Sequence, residues 1–296
     1  MKQLIIIIAC LCSFGISANG QIRINGQEAS QKAISGDKVI DKAFTRCYYL
    51  FSRKGEGAEA PYRIDTMILD VGTKVSKFYD PARLGRDSLL NDRLKNMDPS
   101  TIKGVSVYKS ENSRDISNLP GTTGSNSNEG ESYQIFKNKS THQITVLDYT
   151  HAIGDRFKYE DEIGALPWKI TSQTDSILSY VCQKATLHFR GRDYTAWFTP
   201  DIPVNDGPWK FSGLPGLILK VQDDKGLFDF KLIGLEQSSH PFPVRLDDTK
   251  SIKCTRADFK KLKEKQGNGT QISINAGYVT IAEIPGKSGA VQMELE

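Results

Sequence analysis

The sequence predicts a mainly β (α+β) protein, built as a long, curved antiparallel β-meander with one or two helices packed on it, half-barrel-like in outline. Three observations support this fold class. Short segments of alternating apolar and polar residues follow one another through most of the chain, turn-forming residues separate them, and only two segments have helical spacing and caps. The short connections favour antiparallel neighbours, because a parallel crossover needs a dozen or more residues.

Alternation is clearest in the second half of the chain. Ala185, Leu187 and Phe189 share one face, and the polar residues between them share the other, as in a strand with one wet face. Across the turn 223–226, apolar residues of two strands meet on one face. We expect strands at 44–51, 62–71, 75–79, 105–108, 133–136, 143–149, 156–163, 168–171, 177–189, 194–198, 217–222 and 227–233.

Two segments have the features of helices. Asp80 and Pro81 supply an N-cap and a first-turn proline, and apolar residues at positions 89, 90, 94 and 97 keep helical spacing. A second helix is predicted to begin at Thr255, because Asp258 three residues later resembles a capping box, and to end near Gly267.

The N-terminus has the pattern of a secretory signal. Lys2 precedes an apolar run and small residues, so residues 1–20 are predicted to be a signal peptide. Cys10 leaves lipoprotein processing open as an alternative, although the apolar run before it is short. The protein is therefore predicted to be exported. Its predicted location in a Gram-negative envelope is periplasmic, outer-membrane-associated or secreted. No later stretch is apolar enough for a transmembrane segment.

The remainder, residues 21–296, is predicted to form a single mainly-β domain with a mobile surface loop at 110–132, where Ser, Asn and Gly crowd together. The 39 basic and 35 acidic residues of the whole chain are spread without long runs, which argues against nucleic acid as a partner. Cys47, Cys182 and Cys254 leave two alternatives open, one disulfide with a free thiol or three buried thiols. No Cys/His spacing indicates zinc, and no metal or cofactor is predicted.

Three runs late in the chain carry a family resemblance: 197–203, 207–211 and the run Gly213 to Leu219. Within the last run, Pro215 and Gly216 suit a type II turn, which needs a fixed φ and then a positive one. Together the runs look like the signature of the GLPGLI family of secreted bacterial envelope proteins. The resemblance implies a fold and a compartment. It implies no activity and no site residues, because that family has none assigned.

The stiff connection between the strands at 194–198 and 217–222 is the candidate ligand-binding site. From Trp197 to Trp209, three prolines stiffen a segment that carries two carboxylates and two indoles, and rigid aromatic loops are often binding surfaces. The alternative is structural, with the 207–211 run tucked over the sheet as a plug and the carboxylates capping backbone amides. The predicted ligand-binding residues are Trp197, Asp201, Asp206, Trp209 and Phe211.

Catalytic and metal-binding chemistry is poorly supported. His188, in the strand before the signature runs, and His151, three residues after Asp148, are the candidates for a His/Asp acid–base pair, but no nucleophile motif accompanies them, and no catalytic residue is predicted. The acidic residues at 148, 155 and 160–162 offer oxygen ligands for calcium. Because basic and aromatic residues alternate with them and no EF-hand loop is present, a solvated strand face is the better interpretation.

These observations favour a non-enzymatic binding or carrier protein for an apolar, lipid-like ligand. A curved antiparallel sheet is similar, in fold alone, to the half-barrels that carry lipoproteins in the periplasm, and its hollow must be filled by a helix or a ligand. The alternative is an accessory or interaction protein of an outer-membrane assembly, docking a protein partner through a loop. A hydrolase is the least favoured class.

Overall fold

The computed structural model describes residues 38–109, 130–149, 155–248, 250–265, 269–275, 277–284 and 292–296. The predicted signal peptide, Cys10, His151 and most of the predicted loop at 110–132 lie outside these residues. Within them, no helix is both long and apolar enough to cross a membrane.

The described residues form a mostly β structure with two α-helices. The strands are β1 Lys38–Arg53, β2 Arg63–Gly72, β3 Val75–Tyr79, β4 Gly104–Lys109, β5 Gln134–Asn138, β6 Gln143–Tyr149, β7 Arg156–Glu162, β8 Lys169–Ile177, β9 Tyr180–Phe189, β10 Arg192–Thr199, β11 Leu217–Asp223, β12 Phe228–Leu246, β13 Ser251–Lys253, β14 Gly269–Asn275 and β15 Tyr278–Ile284. The helices are α1 Pro81–Asn96 and α2 Arg256–Lys265.

Twelve strands form one sheet in the order β13-β7-β6-β5-β3-β2-β1-β12-β11-β10-β9-β8. Eleven of these strands form two meanders, β1-β2-β3-β5-β6-β7 and β8-β9-β10-β11-β12, and the long pairing of β1 with β12 joins them. Strand β13 adds to the edge at β7. All these pairs are antiparallel except β13 with β7. Strands β14, β15 and β4 form a separate three-stranded sheet. The predicted fold class is therefore confirmed: a large, mixed, mainly antiparallel sheet that is not closed into a barrel.

The chain crosses from one side of the sheet to the other between β7 and β8. These strands are second and twelfth in the sheet, which places them about 48 Å apart if the sheet is flat. The link between them, residues 163–168, spans at most about 25 Å. The sheet must therefore curl until its two ends approach each other.

An ion pair bridges the two ends of the curled sheet. Asp161 in β7 and Arg190, directly after β9, have carboxylate and guanidinium atoms 2.7 Å apart. We call the space between β7 with α2 on one side and the β9–β10 hairpin on the other the seam. The sheet is not hydrogen-bonded across the seam, because β13 and β8 remain separate edges.

The inner face of the curled sheet carries the main hydrophobic core. One cluster of buried side chains includes residues from both meanders, for example Tyr49, Phe78, Ile135 and Phe230. Phe51 stacks on Phe230 with ring centroids 4.1 Å apart. Both meanders thus share one core, as a single curled sheet requires.

Strands β13, β14 and β15 and the second half of β12 are absent from the sequence prediction, and two features of the predicted strands also differ from the structure. The strand predicted at 177–189 is interrupted, because Leu178 and Ser179 form a two-residue turn with φ of 51° and 68°. Both φ values are positive, as a type I′ hairpin needs, but neither residue is the Gly or Asn that normally signals one. The predicted pairing of neighbouring strands also fails between β7 and β8, because the chain crosses the seam there.

The helix predictions are confirmed at their N-termini. Asp80 caps α1 by accepting a hydrogen bond of 2.9 Å from the Arg83 N–H, and Thr255 accepts one of 3.1 Å from Asp258 N–H before α2. The buried face of α1 is unexpected, since Leu89 is 62% exposed while Arg83 and Asp87 are buried. These two side chains neutralise each other at 2.7 Å, which permits their burial.

Candidate functional site

The connection between β10 and β11 folds back over the inner face of the sheet. Its middle part, Asp206–Ser212, is closed by a β-bridge between its first and last residues, and we call it the plug. Phe211 packs edge-on against Tyr194 with ring centroids 4.8 Å apart, and Trp209 against Phe189 at 5.9 Å. Trp209 and Phe211 are buried members of the main core. The plug therefore covers the sheet from inside.

A lysine from the opposite meander holds the plug in place. Lys137 in β5 forms a buried ion pair with Asp206. Its Nζ also donates hydrogen bonds to the carbonyl oxygens of Gly207 at 2.5 Å and Phe211 at 3.3 Å. All three donors of the ammonium group thus have acceptors. Burial lowers the pKa of Lys137, and the Asp206 carboxylate partly opposes that shift.

A second buried lysine anchors the plug at the seam. Lys210 Nζ lies 2.7 Å from an Asp161 oxygen and 2.6 Å from a Glu294 oxygen. Arg190 and Arg256 complete this network by pairing with Asp161 and Glu294, respectively. Charges from both sides of the seam and from the plug therefore meet in one place, and each is compensated.

The start of β11 explains why the Gly213 to Leu219 run contains a glycine at 216. Gly216 has a φ of 150°, and a Cβ placed on it would overlap the carbonyl group of Thr199. Its N–H donates to the Leu214 carbonyl oxygen at 2.8 Å. The predicted positive φ is confirmed, but the chain closes in a three-residue turn instead of a type II turn.

The five predicted ligand-binding residues do not lie together. Asp206, Trp209 and Phe211 are buried in the plug, on the inner face of the sheet. Trp197 alternates with the inward-facing Ala196 and Phe198 of β10, which places it on the outer face, where it is half-buried and still packs against members of the main core. Asp201 is exposed. Whether any of them binds a ligand stays a prediction, but no single pocket can use all five.

Trp197 lies in a row of lysines that crosses the outer face. Lys184 of β9 and Lys220 of β11 are its direct cross-strand partners, and Lys231 of β12 lies opposite Lys220. Lys184, Trp197 and Lys220 are half-buried, whereas Lys231 is exposed. We call these four residues the lysine row. The sequence does not predict the lysine row, because the register of four strands is needed to bring its members together.

The lysine row has little compensating charge. The nearest recorded carboxylate is that of Asp229, 4.0 Å from Lys220 Nζ. Burial raises the pKa of Asp229, and Lys220 and Lys231 oppose that shift. Lys184 and Lys231 form no salt bridge with any residue that the structure describes. Directly opposed like charges destabilise a sheet, so this part of the outer face is suited to a negatively charged surface.

The candidate acid–base pair is on an open hairpin. His188 Nδ1 lies 2.8 Å from an Asp193 oxygen, and the two side chains are 65% and 69% exposed. No described residue encloses them, so they lack the desolvated surroundings that a catalytic pair uses. His151 lies outside the described residues.

The acidic residues near β7 bind cations of the protein itself. Asp148 accepts hydrogen bonds from Ser132 and Lys263, each at 2.5 Å, and Asp161 is paired as described above. Across the ranges that the structure covers, no group of three or more His, Cys, Asp or Glu residues is arranged to hold a metal ion. The predicted solvated strand face is therefore right for the exposed Asp155, Glu160 and Glu162, but wrong for Asp148 and Asp161, which are buried because each is paired with a cation or hydrogen-bond donor of the protein.

Cys47, Cys182 and Cys254 are free thiols. Cys47 and Cys182 are buried and Cys254 is half-buried, and burial raises the pKa of all three, that of Cys182 to about 11. Thiols with raised pKa values are weak nucleophiles at neutral pH. Of the two alternatives left by the sequence, the structure has the one without a disulfide.

A short stretch of the chain matches a family of unknown function. Residues 189–220 match the model of a family described as a protein of unknown function, Porph_ging. The match is short and includes the Gly213 to Leu219 run. Because the matched family is not named GLPGLI, the GLPGLI assignment stays a prediction. No curated protein matches the chain.

Two solved structures of PNGF-II, in space groups P21 and C2, are distantly similar. The first has a TM-score of 0.48 and 15% identity, and the match covers 79% of this chain and 35% of that one. The second has a TM-score of 0.45 and 15% identity, with 78% and 34% coverage. This chain therefore spans about a third of the length of those structures, and we draw no functional conclusion from the likeness.

Proposed function

We propose that the protein is an exported, non-enzymatic interaction protein that docks an acidic protein partner through the lysine row on its outer face. The observation that supports this proposal is the placement of Lys184, Trp197, Lys220 and Lys231 side by side on four neighbouring strands. Ammonium groups beside a partly exposed indole offer a partner both charge and apolar area. Trp is also among the residues that contribute most to binding energy in interfaces.

The inner face gives less support to a carrier of apolar ligands. Trp209 and Phe211, two of the residues expected to line a ligand cavity, pack instead against Phe189 and Tyr194. Lys137 holds their backbone in place from the opposite meander. An apolar ligand on this face must therefore displace the plug, at the expense of a buried ion pair.

Site-specific photo-crosslinking in the native envelope tests the docking surface. A photoreactive residue at Thr195, which neighbours Trp197 on the outer face, should form a crosslink with one acidic protein. Reversing the charges of the row with Lys184→Glu, Lys220→Glu and Lys231→Glu should reduce the crosslinked product at least about tenfold, since each rim charge acts mainly on encounter and specificity. The matched control is Lys42→Glu, Lys74→Glu and Lys253→Glu, at three exposed positions away from the row.

An equal loss of product in both triple variants would show that total charge, not the row, governs binding.

Native mass spectrometry before and after organic extraction distinguishes a carrier of an apolar ligand from a protein that only docks a partner. A bound mass that disappears on extraction would support an apolar ligand and contradict a purely surface-based role.

Export is a separate part of the proposal and rests on residues 1–20. The mass of the protein purified from the periplasm should correspond to a chain that begins near Gln21. A mass consistent with an acylated Cys10 would indicate a lipid-anchored protein instead of one cleaved near Gln21. Retention in the cytoplasm would contradict export.

A further inference from the structure

The seam is occupied by a short segment of the chain itself. Residues Gln292–Glu296, which we call the tail, contact the β9–β10 hairpin on one side of the seam and α2 and the plug on the other. Met293 packs against the main core, and Leu295 is 52% exposed. The tail is not a strand of either sheet.

The hairpin side of the seam binds the tail through its backbone. Arg192 donates to the Gln292 carbonyl oxygen from Nη2 at 2.6 Å and from Nε at 3.0 Å. The Tyr194 hydroxyl donates to the Met293 carbonyl oxygen at 3.0 Å, and the Leu295 N–H donates to the Arg190 carbonyl oxygen at 3.0 Å. Such contacts accept many sequences, provided that the segment is extended.

The other side of the seam binds the side chain of Glu294. Both carboxylate oxygens of Glu294 are bound, one by Lys210 at 2.6 Å and the other by Arg256 at 2.9 Å. Lys210 is only 2% exposed, so its ammonium group binds Glu294 inside the protein and not at the surface. Lys260 adds a weaker hydrogen bond of 3.3 Å to the Leu295 carbonyl oxygen. Charge-assisted bonds of this kind are stronger than neutral ones and select a carboxylate.

The binding groups of the seam have structural partners apart from the tail. Lys210 stays paired with Asp161, and Arg192 faces Asp223 at 3.4 Å. The hairpin is fixed by the pairing of β9 with β10, and α2 packs Phe259 against Tyr159 with ring centroids 5.5 Å apart. The seam therefore has a preformed shape that does not depend on the tail, as a peptide-binding groove requires.

We propose that the seam is a binding site for an extended acidic peptide, which the tail occupies in cis and a glutamate-containing segment of a partner protein occupies in trans. The recognised pattern is an apolar residue followed by a glutamate, as in Met293 and Glu294. This site goes beyond the docking surface proposed above, because it lies at the seam and uses Lys210, Arg192 and Arg256 instead of the lysine row.

The expected affinities follow from the size of the ligand. A five-residue peptide held by two charge-assisted contacts and a few backbone hydrogen bonds is expected to bind with a Kd of about 100 µM. A tethered tail has an effective concentration on the order of 1 mM. The tail therefore weakens the binding of an added peptide about tenfold in the intact chain.

Fluorescence polarisation with a labelled, N-acetylated peptide of residues 292–296 tests the proposal. The peptide should bind a variant that lacks residues 292–296, and should bind the full chain about tenfold more weakly. A peptide with Glu294→Gln should lose at least about tenfold in affinity. The Glu296→Gln peptide is the matched control and should stay within about twofold, because the exposed Glu296 side chain forms no salt bridge with the described residues.

Two results would overturn this inference: no binding to a folded tail-deleted variant, or equal binding to the full chain. If the deletion prevents folding, hydrogen exchange in the full chain gives the answer. Glu294→Gln should speed the exchange of the Leu295 N–H at least about tenfold relative to Glu296→Gln, and unchanged exchange would contradict the proposal. The triple lysine-row variant should bind the peptide normally, so either proposal can fail without the other.

Discussion

Lys137 is one of two buried lysines that hold the plug on the inner face. It comes from β5 and reaches the plug, which belongs to the other meander. The alternating pattern carries a signal for it, because Lys137 follows Ile135 on the apolar face of its strand, where a lysine is unexpected. The pattern does not identify the partner of Lys137, because Asp206 lies 69 positions later in the chain.

Replacing Lys137 with methionine should destabilise the protein strongly. The change leaves the Asp206 carboxylate buried without its cation, which costs about 3–5 kcal/mol. The free energy of unfolding in urea measures this loss. Lys42→Met, at an exposed position, should change it by no more than about 0.5 kcal/mol. A double variant, Lys137→Met with Asp206→Leu, should be more stable than Lys137→Met alone, and a further loss would contradict the uncompensated-charge explanation.

Gly216 tests the backbone geometry of the signature run. A side chain at this position meets the Thr199 carbonyl group, so Gly216→Ala should lower the free energy of unfolding by more than about 3 kcal/mol. Gly213→Ala is the matched control, because Gly213 also has a positive φ, 91°, but no atom within 4 Å of the added Cβ. Its expected loss is about 1 kcal/mol. Equal losses would indicate that strain in φ, not the close approach to Thr199, makes glycine necessary.

Among the structural elements, the β2–β3 hairpin is held by a carboxylate from a third strand. Asp41 of β1 accepts hydrogen bonds from the backbone N–H of Lys74 at 2.6 Å and Val75 at 2.8 Å, and from the Thr73 hydroxyl at 2.8 Å. Partial burial works to raise the pKa of Asp41, but these hydrogen bonds outweigh it and lower the pKa from 3.8 to about 2. The hairpin turn therefore prefers the charged carboxylate.

The stabilisation from Asp41 should depend on pH in a defined window. Because the pKa of Asp41 is lower in the folded than in the unfolded chain, its contribution is complete above about pH 4 and disappears as the pH falls towards 2. The stability difference between the wild type and Asp41→Asn should therefore shrink between pH 4 and pH 2 in urea titrations. Asp175→Asn, at an exposed position on β8, is the control. A difference that persists at pH 2 would contradict the charge-dependent role of Asp41.

At the scale of the whole molecule, the curl of the sheet brings residues from opposite ends into contact. Asp161 lies in β7, the second strand of the sheet, and Arg190 directly follows β9, the eleventh. These two strands would be about 43 Å apart in a flat sheet. The side chains of Asp161 and Arg190 nevertheless form an ion pair of 2.7 Å. This contact bridges the two sides of the seam, so the proposed peptide site depends on it.

A double-mutant cycle with Asp161→Asn and Arg190→Met measures this long-range contact. The coupling energy should be about 1 kcal/mol or more, because one partner is buried and both belong to one network. The same cycle between Arg190→Met and Asp92→Asn, two residues without a recorded contact, should give a coupling near zero. A zero coupling for Asp161 and Arg190 would contradict the curled arrangement of the sheet.

The sequence by itself determined the fold class, most strand positions and the starts of both helices. These features depend on neighbours within a few residues: the two-residue period of strands, the caps at Asp80 and Thr255, and the positive φ of Gly216. The turn at Leu178 and Ser179 escaped prediction, because its conformation there is enforced by the pairing of β8 with β9 and not by a turn-forming residue.

Only the tertiary structure decided which residues form a site. The lysine row requires the register of four strands, and the seam requires a sheet that curls until β7 and β9 meet. Trp197 and Trp209, twelve positions apart in one stiff connection, lie on opposite faces for the same reason. Contacts between distant residues depend on strand order and curvature, and neither property is written in the local pattern of the chain.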